Sequence, residues 1–313
     1  MANFHPKNIL VLGGGGARGL AHIGVLEVFE QEGIKFDAII GTSMGAIVGG
    51  YYSQNGSLNG LIKKAKEYIK NSAFLNSKIK FFAAKEGKNS LNRMINFLKQ
   101  EYVVSKLVNE KYIVDGEKLN KAISNFIADD DLENFKIFFV PVSVDLNTGK
   151  PIGIEKGSAI KAIRASASIP GVFEPVYWDN MELVDGGVVS TIPVHIAMRY
   201  RPKTIIAVSV DKKFSKETHK NGIELLQKAE EITNYQLNAL NISLADVILR
   251  PNVENITWAD FSRVDDFVEA GRIEARNKLK TIKKAMRIGN NIFNIKRFFR
   301  WSAIHISKED MYD

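Results

Sequence analysis

An α/β fold on a parallel sheet is predicted by three features of the first fifty residues. One is a short apolar run, Asn8 to Leu12 (NILVL), with the unbroken hydrophobicity of a strand covered on both faces. Another is a pair of glycine-rich turns, residues 13–19 and 41–45, each directly behind an apolar run. Between them Leu20, Ile23, Val25, Leu26 and Phe29 recur at helical spacing and stop at Gly33, which predicts an amphipathic helix over Leu20 to Glu32. Phe36 to Ile40 (FDAII) is the second strand, and a small-residue helix starts behind the second turn. Strand, loop, helix, strand, loop, helix is a βαβ beginning with right-handed crossovers.

The later elements follow from the same patterns. Ser57 to Ile127 is lysine-rich and helical in character, with eight lysines between Lys63 and Lys88 against Glu67 and Glu86. Strands are expected at Lys136 to Val144, Glu182 to Val184, Thr204 to Val210 and Asp246 to Arg250. Helices are expected from about Gly222 to Leu240 and from about Asp265 to Met286. No internal repeat, low-complexity tract or clear linker interrupts the chain. The expected organisation is one catalytic domain over 1–286, with 57–127 as a helical insert able to act as a lid, and a basic, aromatic appendage over 287–313.

Composition excludes several function classes. With 313 residues, 45% hydrophobic and 25% charged, the chain is an ordinary globular one. It has no cysteine, which removes disulfide frameworks, thiolate metal sites and cysteine nucleophiles. Residues 1–7 carry no signal-peptide pattern, and no apolar run is long enough to cross a bilayer, so a cytoplasmic protein, soluble or peripheral at a membrane, is expected. The formal charge of +8 is concentrated. Arg272 to Trp301 holds ten Lys/Arg against Glu274 alone, while the rest of the chain has 33 basic and 34 acidic side chains.

The chemistry lies in the two turns and in a later Asp-Gly-Gly. Gly41-Thr42-Ser43-Met44-Gly45 is a G-x-S-x-G between a strand and a helix. A nucleophilic serine on so sharp a turn needs small neighbours two residues away on each side, and the helix behind it favours developing negative charge. A glycine turn that merely lets helix and strand pack closely is the structural alternative. The first turn, Gly13 to Gly19, admits two readings after a Walker loop fails for want of a Lys-Ser/Thr. Gly14, Gly16 and Gly19 fit a dinucleotide fingerprint with Asp37 as the ribose acid, or the bare amides form an oxyanion hole. A second sharp turn with a central serine so soon after Asp37 favours the oxyanion hole.

The serine needs a base. His22 lies inside the first helix, and His195 and His219 fit a Ser-Asp-His triad by chain order only. Asp185, in Leu183-Val184-Asp185-Gly186-Gly187, sits at a strand end, and an aspartate becomes a useful base when an apolar cleft raises its pKa. An Asp-Gly turn of purely structural use is the alternative there.

Taken together, Gly14 to Gly19, Gly41 to Gly45 and Asp185 to Gly187, with Arg164-Ala-Ser-Ala-Ser-Ile-Pro-Gly, Phe173, Pro175 and the stretch from Asp260-Phe261 to Gly271, resemble the patatin-like phospholipases, in particular their short bacterial branch. The resemblance covers roughly Asn8 to Ala285. It implies a three-layer α/β/α sandwich around a mostly parallel central sheet and a Ser-Asp dyad, with Ser43 as nucleophile and Asp185 as general base. It implies an oxyanion hole at Gly14, Gly15, Gly16 and Arg18, in which Gly15 and Gly16 are the main amide donors and Arg18 fixes the loop. Gly19, Gly41, Gly45, Gly186 and Gly187 support the motifs, Gly187 standing where alanine is also frequent. The implied reaction is hydrolysis of a phospholipid, lysophospholipid or neutral lipid through an acyl-serine, without cofactor or metal. The mechanistic alternatives are a Ser-Asp-His esterase and a non-catalytic nucleotide-binding or scaffold protein.

The basic tail has two readings. Ile288, Ile292, Ile295 and Phe299 at helical spacing, beside Phe298, Trp301, Lys296, Arg297 and Arg300, suit an anionic lipid surface contacted peripherally through 288–306. The same stripe suits packing on its own domain or across a homo-oligomer. No nucleic-acid motif accompanies the charge, so nucleic acid is not an expected partner.

Overall fold

The computed structural model describes residues 5–71, 106, 108–211, 222–253 and 260–288. Strand β1 (Asn8–Leu12) leads through a 3-10 turn (Gly16–Leu20) into α1 (Ala21–Gln31). Then come β2 (Ala38–Gly41), α2 (Met44–Asn55) and α3 (Leu61–Asn71). After the undescribed stretch follow β3 (Tyr112–Val114), α4 (Gly116–Ser124), β4 (Phe138–Asp145), β5 (Pro151–Gly153) and α5 (Ala159–Ala167). The chain continues through β6 (Gly171–Phe173), β7 (Val176–Trp178), β8 (Met181–Asp185) and α6 (Val194–Arg199). Last are β9 (Thr204–Val208), α7 (Gly222–Ile242), β10 (Val247–Leu249) and α8 (Val264–Ile288).

The main sheet runs β10-β9-β1-β2-β4-β8-β7, with β5 also paired to β4. The neighbours from β10 to β4 are parallel, whereas β5, β8 and β7 are joined by antiparallel pairings. Alternation along β1 explains the layers. Leu10 and Leu12 enter a core with α1, α2, α5 and α8, while Ile9 and Val11 face a second core with α6 and the end of α7. A sheet buried on both faces and clad in helices is the three-layer sandwich.

Most predicted elements are present with shifted ends. The strands β3, β5, β6 and β7 and the short helices α5 and α6 were not expected from the pattern, because each is too short to show a period. The stretch 57–127 is tied into the body at both ends. Leu58, Leu61, Val114, Leu119, Ile123 and Ile127 belong to the larger core, and β3 pairs in parallel with β6. Of the expected insert 57–127, residues 72–105 and 107 lie outside the described residues, as do 289–313 of the expected appendage.

Helix α8 lies along α1, and glycine permits the close approach. A Cβ on Gly24 would fall 1.8 Å from the Val268 carbonyl oxygen, and one on Gly271 would fall 2.0 Å from that of Ala21. Arg272 Nε donates to Glu27 at 2.7 Å and Lys283 Nζ to Glu32 at 2.6 Å, so both helices run the same way. The Thr204 hydroxyl, at the start of β9, donates to the Ala285 carbonyl at 3.5 Å. The basic end of α8 thus lies at the end of the sheet opposite the two glycine turns. No helix among the described residues is long and apolar enough to cross a membrane.

Gly24→Ala is expected to destabilise the protein by about 1–3 kcal/mol, because backbone cannot yield as a side chain can. Urea unfolding midpoints measure this, and a variant as stable as the parent would contradict the close packing.

Candidate active site

The site lies where the parallel strands end. Ser43 follows β2 and caps α2 with φ 55° and ψ −120°, a conformation that costs a non-glycine residue about 1–3 kcal/mol. The flanking glycines are required by space. A Cβ on Gly45 would lie 2.2 Å from the Leu12 carbonyl oxygen, and one on Gly41 would lie 2.5 Å from that of Gly45. The turn thus folds back on itself and presses α2 against the end of β1. The Ser43 N–H is held by Ser166 at the end of α5, through its carbonyl at 3.0 Å and its Oγ at 3.1 Å.

Asp185 arrives from the antiparallel side of the sheet, opposite Ser143 of β4. The residue is buried, only 5% exposed. Burial pushes its pKa up to about 6, against the pull of the Gly187 N–H, which donates to Oδ1 at 2.8 Å, and of the neighbouring Ser43 hydroxyl. Gly186 lets this strand end approach β4, since a Cβ there would sit 2.6 Å from the Val142 carbonyl oxygen. Ser43 and Asp185, 142 positions apart in sequence, lie side by side.

The first glycine turn stands beside them, with a Cβ on Gly14 reaching 3.2 Å from Ser43 Cβ. One of its expected donors, Gly14, is already engaged. The Gly14 N–H is committed to the Thr191 carbonyl at 2.8 Å and that residue is buried, so Gly14 is a support and not a free donor. Gly15 and Gly16 are half-buried and open the 3-10 turn, where the first N–H groups have no partner inside the helix. Arg18 Nε donates to the Gly15 carbonyl at 3.4 Å, which pins the loop from behind. Burial lowers the Arg18 pKa while the nearby Asp211 raises it.

Several supporting residues escaped the sequence reading. Thr191 Oγ1 donates to Asp211 at 2.9 Å and accepts from Asn238 Nδ2 at 2.7 Å, so α7 is tied to the strut beneath Gly14. Burial raises the Asp211 pKa against the hydrogen bond from Thr191 and the charge of Arg18. No local signal marks Thr191, Asp211 or Asn238, because long-range packing alone assembles them. Ser166 stands out in the sequence only as part of Arg164-Ala-Ser-Ala-Ser-Ile-Pro-Gly.

The histidines stand elsewhere. His22 is fully buried and its Nε2 donates to the Gly13 carbonyl at 2.7 Å; burial pushes its pKa down to about 4 against that hydrogen bond, so the ring stays neutral. His195, on α6, is pushed to about 4 by burial and by Arg199, and it faces Asn241. His219 lies outside the described residues. Among the described residues no histidine is hydrogen-bonded to Ser43 or Asp185. The dinucleotide reading fails on position: Asp37 Oδ2 accepts the Asn8 N–H at 2.8 Å, at the start of β1 and β2, the opposite end of the sheet from the glycine turn. Among the described residues no cluster of three or more His, Asp or Glu is arranged to hold a metal.

This end of the sheet thus presents a strained serine on a strand-to-helix turn, a buried carboxylate beside it and an adjacent glycine-rich loop. The chain belongs to the patatin-like phospholipase family, whose sequence profile matches residues 10–198. It is 26% identical over 296 residues to an uncharacterised NTE family protein of Mycobacterium tuberculosis, covering 87% of this chain and 46% of that protein. With the lysophospholipase NTE1 of Meyerozyma guilliermondii it shares 27% over 292 residues, covering 85% of this chain and 19% of that protein. The chain therefore spans less than half the length of these relatives. The crystal structure of VipD from Legionella pneumophila aligns with a TM-score of 0.41 and 13% identity over 89% of this chain and 67% of that one.

The raised Asp185 pKa has a stability consequence. Between the ordinary value of 3.8 and about 6 the folded protein binds the proton that the unfolded chain has released. Holding the bare carboxylate in the fold therefore costs stability above about pH 6, a cost that disappears below pH 4. Asp185→Asn is expected to raise the stability at pH 8 by on the order of 2 kcal/mol, and to raise it progressively less on acidification. Thermal midpoints from pH 4 to pH 8 test this, and a gain that does not vary with pH would oppose it.

Proposed function

We propose that the chain is a lipid acyl hydrolase that cleaves carboxylic esters through an acyl-Ser43 intermediate, with Asp185 as its only general base. The observation that carries this reading is the Ser43–Asp185 pair, a strained serine beside a buried carboxyl with a pKa near 6. Such a carboxylate is ionised at neutral pH yet far more basic than an exposed aspartate, so a histidine relay is unnecessary. Asp185 removes the Ser43 proton as Oγ adds to the ester carbonyl. The N–H groups of Gly15 and Gly16 receive the resulting oxyanion, and the head of α2 adds its dipole. Collapse breaks the acyl–oxygen bond and Asp185 returns the proton to the leaving alcohol. Water then repeats the sequence on the acyl-serine, releasing the fatty acid and restoring the Ser43 hydroxyl.

Family membership supports a lipid substrate, and the likeness to the lysophospholipase NTE1 of Meyerozyma guilliermondii makes lysophospholipids the first class to test. The 288–306 stretch is the candidate for peripheral contact with the lipid surface. Its test is removal of 289–313, which is expected to weaken binding to anionic vesicles while preserving turnover of a soluble short-chain ester. Unchanged vesicle binding would refute that role.

A fluorophosphonate is expected to label the purified protein once per chain, at Ser43, and to fail on Ser43→Ala. Asp185→Asn is expected to lower kcat by about 100-fold or more, while His195→Ala and His219→Ala retain activity. Because Asp185 must be ionised, kcat/KM is expected to rise with pH through about 6 and then level off. Labelling that persists in Ser43→Ala, or activity that collapses with either histidine, would overturn the assignment.

A further inference from the structure

The segment Ser166-Ala167-Ser168 touches both members of the Ser43–Asp185 pair, although substrate can reach neither serine. Both Ser166 and Ser168 are fully buried. The Ser43 N–H is shared between the carbonyl (3.0 Å) and Oγ (3.1 Å) of Ser166. Two residues on, the Ser168 carbonyl accepts the Asp185 N–H at 2.9 Å. The end of α5 thus holds the backbone of the serine and that of the carboxylate.

The residue type at 166 follows from the bonds it makes. Ser166 Oγ accepts from Ser43 N–H and donates to the Val142 carbonyl of β4 at 2.6 Å. Only a hydroxyl can do both in so small a space. Val142 adjoins Ser143, which lies opposite Asp185, so this one oxygen links the serine turn to the strand that pairs with the carboxylate. Ser43 has special need of such a link. Its positive φ is held only where the surroundings over-determine it, and its N–H has no place in the α2 ladder. Ser168 locks the turn in its own way, its Oγ donating to the Arg164 carbonyl at 2.9 Å. Arg164 in turn forms an ion pair with Glu174 at 3.0 Å.

We propose that Ser166 is a positioning residue of the acyl-transfer site, its hydroxyl holding the Ser43 turn against β4 so that the Ser43 hydroxyl stays on Asp185. This rests on the reading of Ser43 and Asp185 given above. Loosening the turn separates the pair without removing any group that touches the ester. Misplacement on the scale of an ångström lowers turnover on the order of 10- to 100-fold. It also takes from Asp185 a hydrogen bond that favours its ionised form, so the acid limb of the pH profile moves to higher pH.

The test uses the full chain and a soluble short-chain aryl ester, so that adsorption to lipid plays no part. Ser166→Ala is expected to lower kcat on the order of 10- to 100-fold with KM nearly unchanged. It should slow fluorophosphonate labelling of Ser43 in parallel, and shift the acid limb of kcat/KM upward. Ser166→Cys, which fills the same space with a weaker donor and acceptor, is expected to change all three in the same direction, and it serves if the alanine variant does not fold. The structural control is Ser158→Ala, at the other end of α5, where the Ser158 hydroxyl caps the helix by accepting the Lys161 N–H at 3.3 Å. It is expected to lower the thermal midpoint but to leave kcat and the acid limb in place. Folded Ser166 variants with parental kcat, labelling rate and acid limb would overturn the proposal, as would losses that match only the folded fraction. Failure of the parent itself to be labelled at Ser43 would instead overturn the hydrolase reading on which the proposal rests.

Discussion

The upper end of the sheet depends on how closely α2 approaches the end of β1. At Gly45 the backbones are so near that a single methyl group would sit 2.2 Å from the Leu12 carbonyl oxygen. That approach sets Ser43 at the head of α2 and brings the following glycine turn alongside it. The strain at Ser43 is the local cost, and the cores on the two faces of the sheet supply the stability that tolerates it.

The second element is a carboxylate that the fold would hold more comfortably as an acid. Asp185 is buried, accepts the Gly187 N–H, lies beside the Ser43 hydroxyl, and still has its pKa raised, because desolvation outweighs both. A group tuned this way lowers stability at neutral pH and gains basicity in exchange, the kind of local conflict that marks a working site. His22 shows the opposite outcome of burial. Its neutral ring is a fixed donor to the Gly13 carbonyl, a brace for the loop that carries Gly15 and Gly16.

How much of this was legible in the sequence depended on the range of the forces involved. The β1–turn–α1–β2–turn–α2 unit could be read because apolar runs, helical periodicity and glycine punctuation are local. The positions of Ser43 and Asp185 could be read because three spaced motifs matched a known family. Very short elements such as β3 and β6 could not, since three residues show no period and the pairing of Tyr112 with Gly171 depends on the whole fold. The commitment of the Gly14 N–H to Thr191 was equally hidden, as that strut comes from a loop 177 positions later in the chain. The misplaced reading of Asp37 had a different cause. Spacing along the chain suited a ribose acid, but the residue precedes β2 and so belongs to the other end of the sheet.

The Ser43–Asp185 pair is the centre of this account, and a carbon-13 NMR titration of the Asp185 carboxyl examines it most directly. A midpoint near pH 6 is expected in the parent protein and a higher one in Ser43→Ala, where the hydroxyl that favours the ionised form is gone. A midpoint near the ordinary 3.8, unchanged by removing the Ser43 hydroxyl, would contradict it.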